Sequence, residues 1–156
     1  MKFNFKLFIV CMGLPLLVGG LAGLITNDSM MTFQMLNKPA LSPPGWLFPV
    51  AWTILYILMG ISSYLVLASE DNSDNVNIAL KFYIIQLAVN FFWPIFFFTF
   101  DLYLFSFIWL LQLIALVLIT IILFARISKP AAYLQIPYLI WLIFAGYLNL
   151  SIYLLN

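Results

Sequence analysis

The side chains in this sequence that can recognise a ligand are indoles, phenols and amides. Gln86, Asn90, Trp93 and Phe97 follow one another at i, i+4, i+7 and i+11, a spacing that puts them on one stripe of an α-helix. Trp52 and Tyr56 stand four apart, and so do Trp141, Ala145 and Asn149. Rings and amides of this kind stack on a large, flat, mostly apolar molecule and fix it with a few hydrogen bonds. The groups needed for most catalytic chemistry are missing. There is no histidine, which removes the usual general base, the usual metal ligand and the usual proximal haem ligand. The single cysteine, Cys11, lies in an apolar run, so no intrachain disulfide or thiolate metal cluster can form. The acids are Asp28, Glu70, Asp71, Asp74 and Asp101. All read as loop or helix-end residues, which leaves no ionisable group within the membrane for classical ion-coupled transport. No metal site and no bound cofactor are expected.

The elements that must position these residues follow from composition. Of 156 residues, 66% are hydrophobic and 7% charged, with a net charge of +1. A soluble domain carries roughly 25% charged residues, so this chain cannot cover a water-facing surface. The small net charge also argues against nucleic-acid binding, which needs a basic stripe. Five apolar stretches, at about 7–25, 46–68, 78–100, 102–125 and 132–155, are each long enough to cross a hydrocarbon core of about 30 Å at 1.5 Å per residue. Every backbone amide in lipid must be paired internally, so these stretches read as helices despite their aromatic and β-branched content. The fold class is therefore all-α, a five-helix integral membrane bundle in a single domain, 1–156. The first stretch has basic residues before it and Gly20-Leu21-Ala22-Gly23 near its end. It nonetheless exceeds a signal-peptide core of about 7–15 residues, so it is read as a retained span.

The connections differ. The third and fourth stretches meet at Asp101 in a tight hairpin, Pro130 reads as the stop of the fourth helix, and Pro49 reads as a break early in the second. The first connection, about 27–45, contains Asn37-Lys38-Pro39 and Pro43-Pro44-Gly45. Prolines stiffen it, and a long stiff loop is more often a functional lid than an accident. With the N-terminus inside, Lys2, Lys6, Lys81, Arg126 and Lys129 fall on the inner side and only Lys38 on the outer. The positive-inside rule thus gives a multi-pass protein of the cell membrane with its C-terminus and lid outside.

Each feature also has a plainer reading. Gln86 and Asn90 can serve interhelical hydrogen bonds worth roughly 0.6–2 kcal/mol each. Trp46 fits an interfacial aromatic belt, whereas Trp52 lies deeper. Ala145 and Gly146 can simply let helices approach. Gly19 and Gly23 form a small-xxx-small pair, whose partner is either another helix of the chain or a second copy. Lys38 is the one cation near the mouth of a cavity beneath the loop, where it can meet a ligand carboxylate or stay solvated.

Several segments together resemble the TspO/MBR family of translocator and tryptophan-rich sensory proteins, formerly the peripheral-type benzodiazepine receptors. They are Asn37-Lys38-Pro39, Pro43-Pro44-Gly45-Trp46-Leu47-Phe48-Pro49, Trp52-Thr53-Ile54-Leu55-Tyr56, Met59-Gly60, Gln86-Leu87-Ala88-Val89-Asn90, Trp93-Pro94-Ile95-Phe96-Phe97, Pro137-Tyr138-Leu139-Ile140-Trp141 and Leu148-Asn149. Their order and spacing agree over essentially the whole chain. The resemblance implies a five-helix bundle, often a homodimer, whose first loop closes over a cavity. It implies binding of porphyrins such as protoporphyrin IX and of benzodiazepine-site ligands, with links to tetrapyrrole regulation and stress response. Some bacterial members are reported to degrade protoporphyrin in light, and the two tryptophans credited with that match Trp52 and Trp141. The family's amide matches Asn90 and its small residue Ala145. Two departures stand out. Leu41 replaces a tryptophan common before the double proline, which removes a stacking surface from the lid. Tyr153 is followed by Leu-Leu-Asn rather than a basic residue, so cholesterol binding is not predicted.

The expected function is a membrane receptor or sensor for porphyrins. The expected ligand-binding set is Trp46, Trp52, Tyr56, Gln86, Asn90, Trp93, Phe97, Trp141, Ala145 and Asn149, under a lid carrying Lys38, Pro43 and Pro44. The alternatives are light-dependent porphyrin degradation, with Trp52 and Trp141 as the photochemical residues, and tetrapyrrole translocation. The odd number of spans speaks against inverted repeats and hence against the last. A structural subunit that binds only a protein partner is a further alternative.

Overall fold

A computed structural model describes residues 2–156 of the chain. It is helical, and five of its helices are long and apolar enough to cross a membrane. Helix α1 spans Phe5–Thr26, a short α2 spans Met30–Gln34, α3 spans Leu47–Leu67, α4 spans Ser73–Pro94, α5 spans Tyr103–Ile127 and α6 spans Lys129–Leu155. The five long helices close a ring in the order α1, α3, α6, α5, α4 and back to α1. Helices α5 and α6 pack behind α4 and α3. One side of α1 is left uncovered, with Val10, Leu17 and Leu24 exposed, as suits a surface that meets lipid.

Local chemistry sets the helix ends. Asn4 caps α1, its side chain accepting from the Leu7 amide, and Asn72 caps α4 by accepting from Asp74. Helix α4 therefore starts five residues before the apolar run does. Its first turn is polar and is specified by the cap rather than by hydrophobicity. Helix α6 likewise starts early, because Ser128 caps it and Pro130 falls in its first turn. Pro130 thus opens α6 rather than stopping α5, since a first-turn N–H has no intrahelical partner to lose. The same reason makes Pro49 harmless as the third residue of α3. Pro94 does have an effect. It ends the regular part of α4, and Ile95–Thr99 continues as a π-helical turn. The hairpin into α5 then turns on Asp101 at φ 55°, a left-handed conformation that aspartate tolerates better than most residues.

The first connection is only partly a loop. Asn27–Ser29 forms a 3₁₀ turn that leads into α2, and Phe33 of α2 is buried against Phe48, Phe97 and Phe98, with ring centroids 5.7, 6.1 and 5.4 Å away. Aromatic packing therefore seats the lid. Its proline segment is tied at Asn37, whose N–H donates to Asn156 Oδ1 (3.2 Å) and whose carbonyl accepts from Asn156 Nδ2 (2.9 Å).

Candidate ligand cavity

Beneath the lid lies a cavity of about 820 Å³, walled by α1, α3, α4 and the lid itself. Helices α5 and α6 contribute none of its lining. One wall is aromatic. Trp46, Phe48, Trp52 and Tyr56 come from the start of α3, and Trp93 and Phe98 from the end of α4. Trp52 stacks on Tyr56 at 5.5 Å with an interplanar angle of 27°. The facing wall is Leu16, Gly19, Gly20 and Gly23 of α1. A Cβ at Gly19 would overlap the Tyr56 ring, while one at Gly20 or Gly23 would meet nothing within 4 Å. The small-xxx-small pair thus divides its work within the chain: Gly19 seats the tyrosine and Gly23 leaves room in the cavity. Among the described residues, no charged one lines this space. Besides the tyrosine and the indoles, its polar side chains are Asn90, Gln34, Asn27, Thr26 and Thr53. The two threonine hydroxyls already donate to their own helices, Thr26 to the Ala22 carbonyl (2.9 Å) and Thr53 to the Pro49 carbonyl (2.7 Å).

The residues singled out from the sequence fall into three places. Trp46, Trp52, Tyr56, Asn90 and Trp93 line the cavity. Gln86, Phe97, Ala145 and Asn149 are buried behind it. Trp141 lines a separate apolar groove of about 640 Å³ between α3 and α6, together with Pro43, Leu47 and Ile140. It stands edge-on behind Trp52, centroid to centroid 6.4 Å, so the two tryptophans touch each other but face different spaces. Pro44 and Leu41 are exposed, and neither lines the cavity. Lys38 is committed within the lid. Its ammonium donates to the carbonyls of Phe33 (3.2 Å) and Gln34 (3.0 Å) and lies 5.0 Å from the centroid of the Phe33 ring, satisfying the orphan carbonyls at the end of α2.

The residues behind the wall hold it in place. Asn90 Nδ2 donates to the Tyr138 hydroxyl (2.9 Å), and that hydroxyl donates to Gln86 Oε1 (2.7 Å). Trp93 Nε1 donates to Asn149 Oδ1 (3.1 Å), and Asn149 Nδ2 donates to the Tyr103 carbonyl (2.8 Å). Gln86 and Asn149 are therefore interhelical ties, whereas Asn90 is both a tie and part of the wall. Its Nδ2 is engaged by Tyr138, which leaves Oδ1 to accept from a ligand. Phe97 stacks on Trp93 at 5.4 Å and 20°, fixing the plane of that indole. The tie makes a prediction. Tyr138→Phe strands the Gln86 amide, whose Nε2 already lacks a partner, and leaves it wholly unpaired in the core. The expected cost is about 1–3 kcal/mol, read as a lower thermal midpoint in detergent, with the circular-dichroism helix signal unchanged at low temperature. An unchanged midpoint would show that the tie carries no stability.

Sequence reasoning missed the α1 wall and the part played by Met30 and Gln34. Both glycines of the α1 pair were visible as a close-packing motif, yet a motif of small residues does not say whether ring or empty space stands opposite.

Comparison with known proteins agrees with this architecture. Residues 11–155 match the model of the TspO/MBR family. The chain is 38% identical over 148 residues to the tryptophan-rich protein TspO of Chlorobaculum tepidum, covering 94% of each chain. It is 34% identical over 152 residues to the tryptophan-rich sensory protein of Cereibacter sphaeroides, covering 97% of this chain and 90% of that one. The human translocator protein is 31% identical over 130 residues, or 83% of this chain and 77% of its own. With five spanning helices, a lidded aromatic cavity and similarity along nearly its whole length, this chain is a multi-pass membrane protein belonging to the TspO/MBR family.

Proposed function

We propose that the chain is a membrane receptor that binds porphyrins of the protoporphyrin IX type, and related flat apolar molecules, in the cavity beneath the lid. The observation that carries this reading is an uncharged, indole-rich space of about 820 Å³, within the range of ligand sites, roughly 300–1,000 Å³. A macrocycle would stack on the indoles and offer a hydrogen-bond donor to Asn90 Oδ1. Its carboxylates would be directed to the mouth and into water, since no cation lines the interior. Recognition by stacking without acid–base groups suits sensing better than hydrolysis or group transfer. The distribution of basic residues supports a placement in the cell membrane with the lid outside and the N-terminus inside, because the lid end carries Lys38 alone.

The test is a titration of detergent-purified protein with protoporphyrin IX in the dark, read by tryptophan fluorescence, alongside Asn90→Leu. Saturable quenching at micromolar or lower concentration, weakened about three- to thirtyfold by Asn90→Leu, is expected, as for the loss of one good hydrogen bond to a ligand. Quenching that never saturates, or that is the same in the variant, would remove the porphyrin reading.

A further inference from the structure

The cavity is buried on one side and open on another. Its deep lining is covered: Tyr56, Asn90 and Trp93 are 8, 2 and 7% exposed. Its lining along the facing edges of α1 and α3 is not. Gly20 and Gly23 on α1, and Pro49 and Thr53 on α3, are all exposed. A hollow closed all round would not divide its lining in this way, so the α1–α3 edge opens outward.

The sequence accounts for the opening. Pro49, Thr53, Tyr56 and Gly60 stand at i, i+4, i+7 and i+11, one stripe of α3, and this stripe meets α1. Its inner half is tight. A Cβ on Gly60 would lie 2.9 Å from Met12 Cα, and the Tyr56 ring fills the space over Gly19. One turn further along, the contact ends. Gly23 shares the face of α1 that holds Gly19, yet a Cβ there would meet nothing within 4 Å. The two helices therefore part beyond Tyr56 and leave a slot. Gly20 and Thr53 each lie six residues inside the lid end of their helix, about 9 Å at 1.5 Å per residue. At that depth the slot faces hydrocarbon. Its edge is chemically fit for lipid, because the Thr53 hydroxyl donates to the Pro49 carbonyl (2.7 Å) and leaves no donor unpaired.

The lid, by contrast, is fastened. Phe33 is buried among Phe48, Phe97 and Phe98. Lys38 holds the carbonyls of Phe33 and Gln34, and Asn37 exchanges two hydrogen bonds with Asn156. Raising the lid breaks these contacts. Passage through the slot breaks none, since the glycines along its α1 edge have no side chain to move.

We propose that ligands enter and leave the cavity sideways from the bilayer, through the slot between α1 and α3, while the lid stays shut. The cavity then samples membrane-dissolved amphiphiles, whose flat apolar body lies in the hydrocarbon and whose polar end stays at the interface. Water-borne molecules are passed over. The route rests on the reading of the cavity as a porphyrin-type ligand site.

The experiment uses full-length protein in phosphatidylcholine vesicles, mixed in the dark with vesicles carrying protoporphyrin IX and followed by stopped-flow tryptophan quenching. Asn37→Cys/Asn156→Cys in a Cys11→Ala background, once oxidised to lock the lid, is expected to bind at a rate within about twofold of the same protein reduced. Gly23→Leu, which has room for its side chain, bridges the slot. It is expected to slow association about tenfold, by more than it lowers affinity. A locked lid that slows association strongly, with Gly23→Leu as fast as wild type, would overturn the proposal. A second measurement needs no porphyrin. A nitroxide on Thr53→Cys, in the Cys11→Ala background, is expected to collide more often with oxygen dissolved in the bilayer than with a water-soluble nickel chelate. The reverse ranking would place the slot in water and overturn the lateral route. Wild-type protein that shows no saturable quenching, while the nitroxide reports hydrocarbon, would remove the porphyrin reading and support a slot open to lipid.

Discussion

Trp52→Ala weakens saturable protoporphyrin quenching by at least about tenfold, and Trp141→Ala by only about threefold. The asymmetry follows from where the two indoles face. Trp52 lines the cavity and stacks on Tyr56. Removing it takes away a large contact surface that would be buried against the ligand, at roughly 25 cal/mol per Å² of apolar area. Trp141 lines the separate groove and meets Trp52 edge to face at 6.4 Å. It also meets Phe48, a second cavity residue, at 6.1 Å. Its loss lets the wall relax without removing a surface that touches the ligand. The measurement is the dissociation constant from a dark fluorescence titration of each variant, with the remaining tryptophans as reporters. Equal losses would mean that Trp141 enters the cavity when ligand is bound. The same pair of variants bears on light-dependent chemistry, since of the two indoles only Trp52 lines the cavity.

Gly60→Val unfolds the α1 side of the protein, and Gly60→Ala costs about 1–3 kcal/mol, the usual range for overpacking a tight site. A Cβ at Gly60 would lie 2.9 Å from Met12 Cα and 3.0 Å from the Cys11 carbonyl oxygen. These are backbone atoms of α1, which cannot move without the helix moving. Helix α3 packs closely against α1 at that point. Gly13→Ala is the matched control, because a Cβ there meets nothing within 4 Å and alanine is the better helix former. Thermal midpoints in detergent separate the two. Since α1 supplies one wall of the cavity, porphyrin binding is expected to fall together with stability at Gly60 and to be unchanged at Gly13. A Gly60→Ala protein as stable as its Gly13→Ala counterpart would show that α1 docks more loosely than the geometry indicates.

Much of this protein is legible in its sequence because the solvent dictates the fold. With so few charged residues and five apolar runs of spanning length, helices are the one way for a single chain of this kind to pair its backbone in lipid, and the runs fix their number. The tight hairpin at Asp101 and the lid character of the first connection also follow from local chemistry. The helix starts at Ser73 and Lys129 were obscured because side-chain caps set them, outside the apolar signal. The cavity is legible in kind and only partly in membership. Periodicity places Gln86, Asn90, Trp93 and Phe97 on one stripe, yet a stripe of an α-helix is wide enough to face both a neighbour and a hollow. Packing assigns Asn90 and Trp93 to the wall, and Gln86 and Phe97 to the layer behind it.

Lys38 and Trp141 show most clearly what only the tertiary structure decides. The sequence places Lys38 at a cavity mouth, but the end of α2 claims its ammonium. The family resemblance pairs Trp141 with Trp52, but the ring order of the helices puts α6 behind α3 and turns the two indoles to different spaces. Sequence and solvent together determine which segments cross the bilayer. Which face of each helix meets ligand, lipid or another helix depends on contacts between residues far apart in the chain, and those are set only when the ring of helices closes.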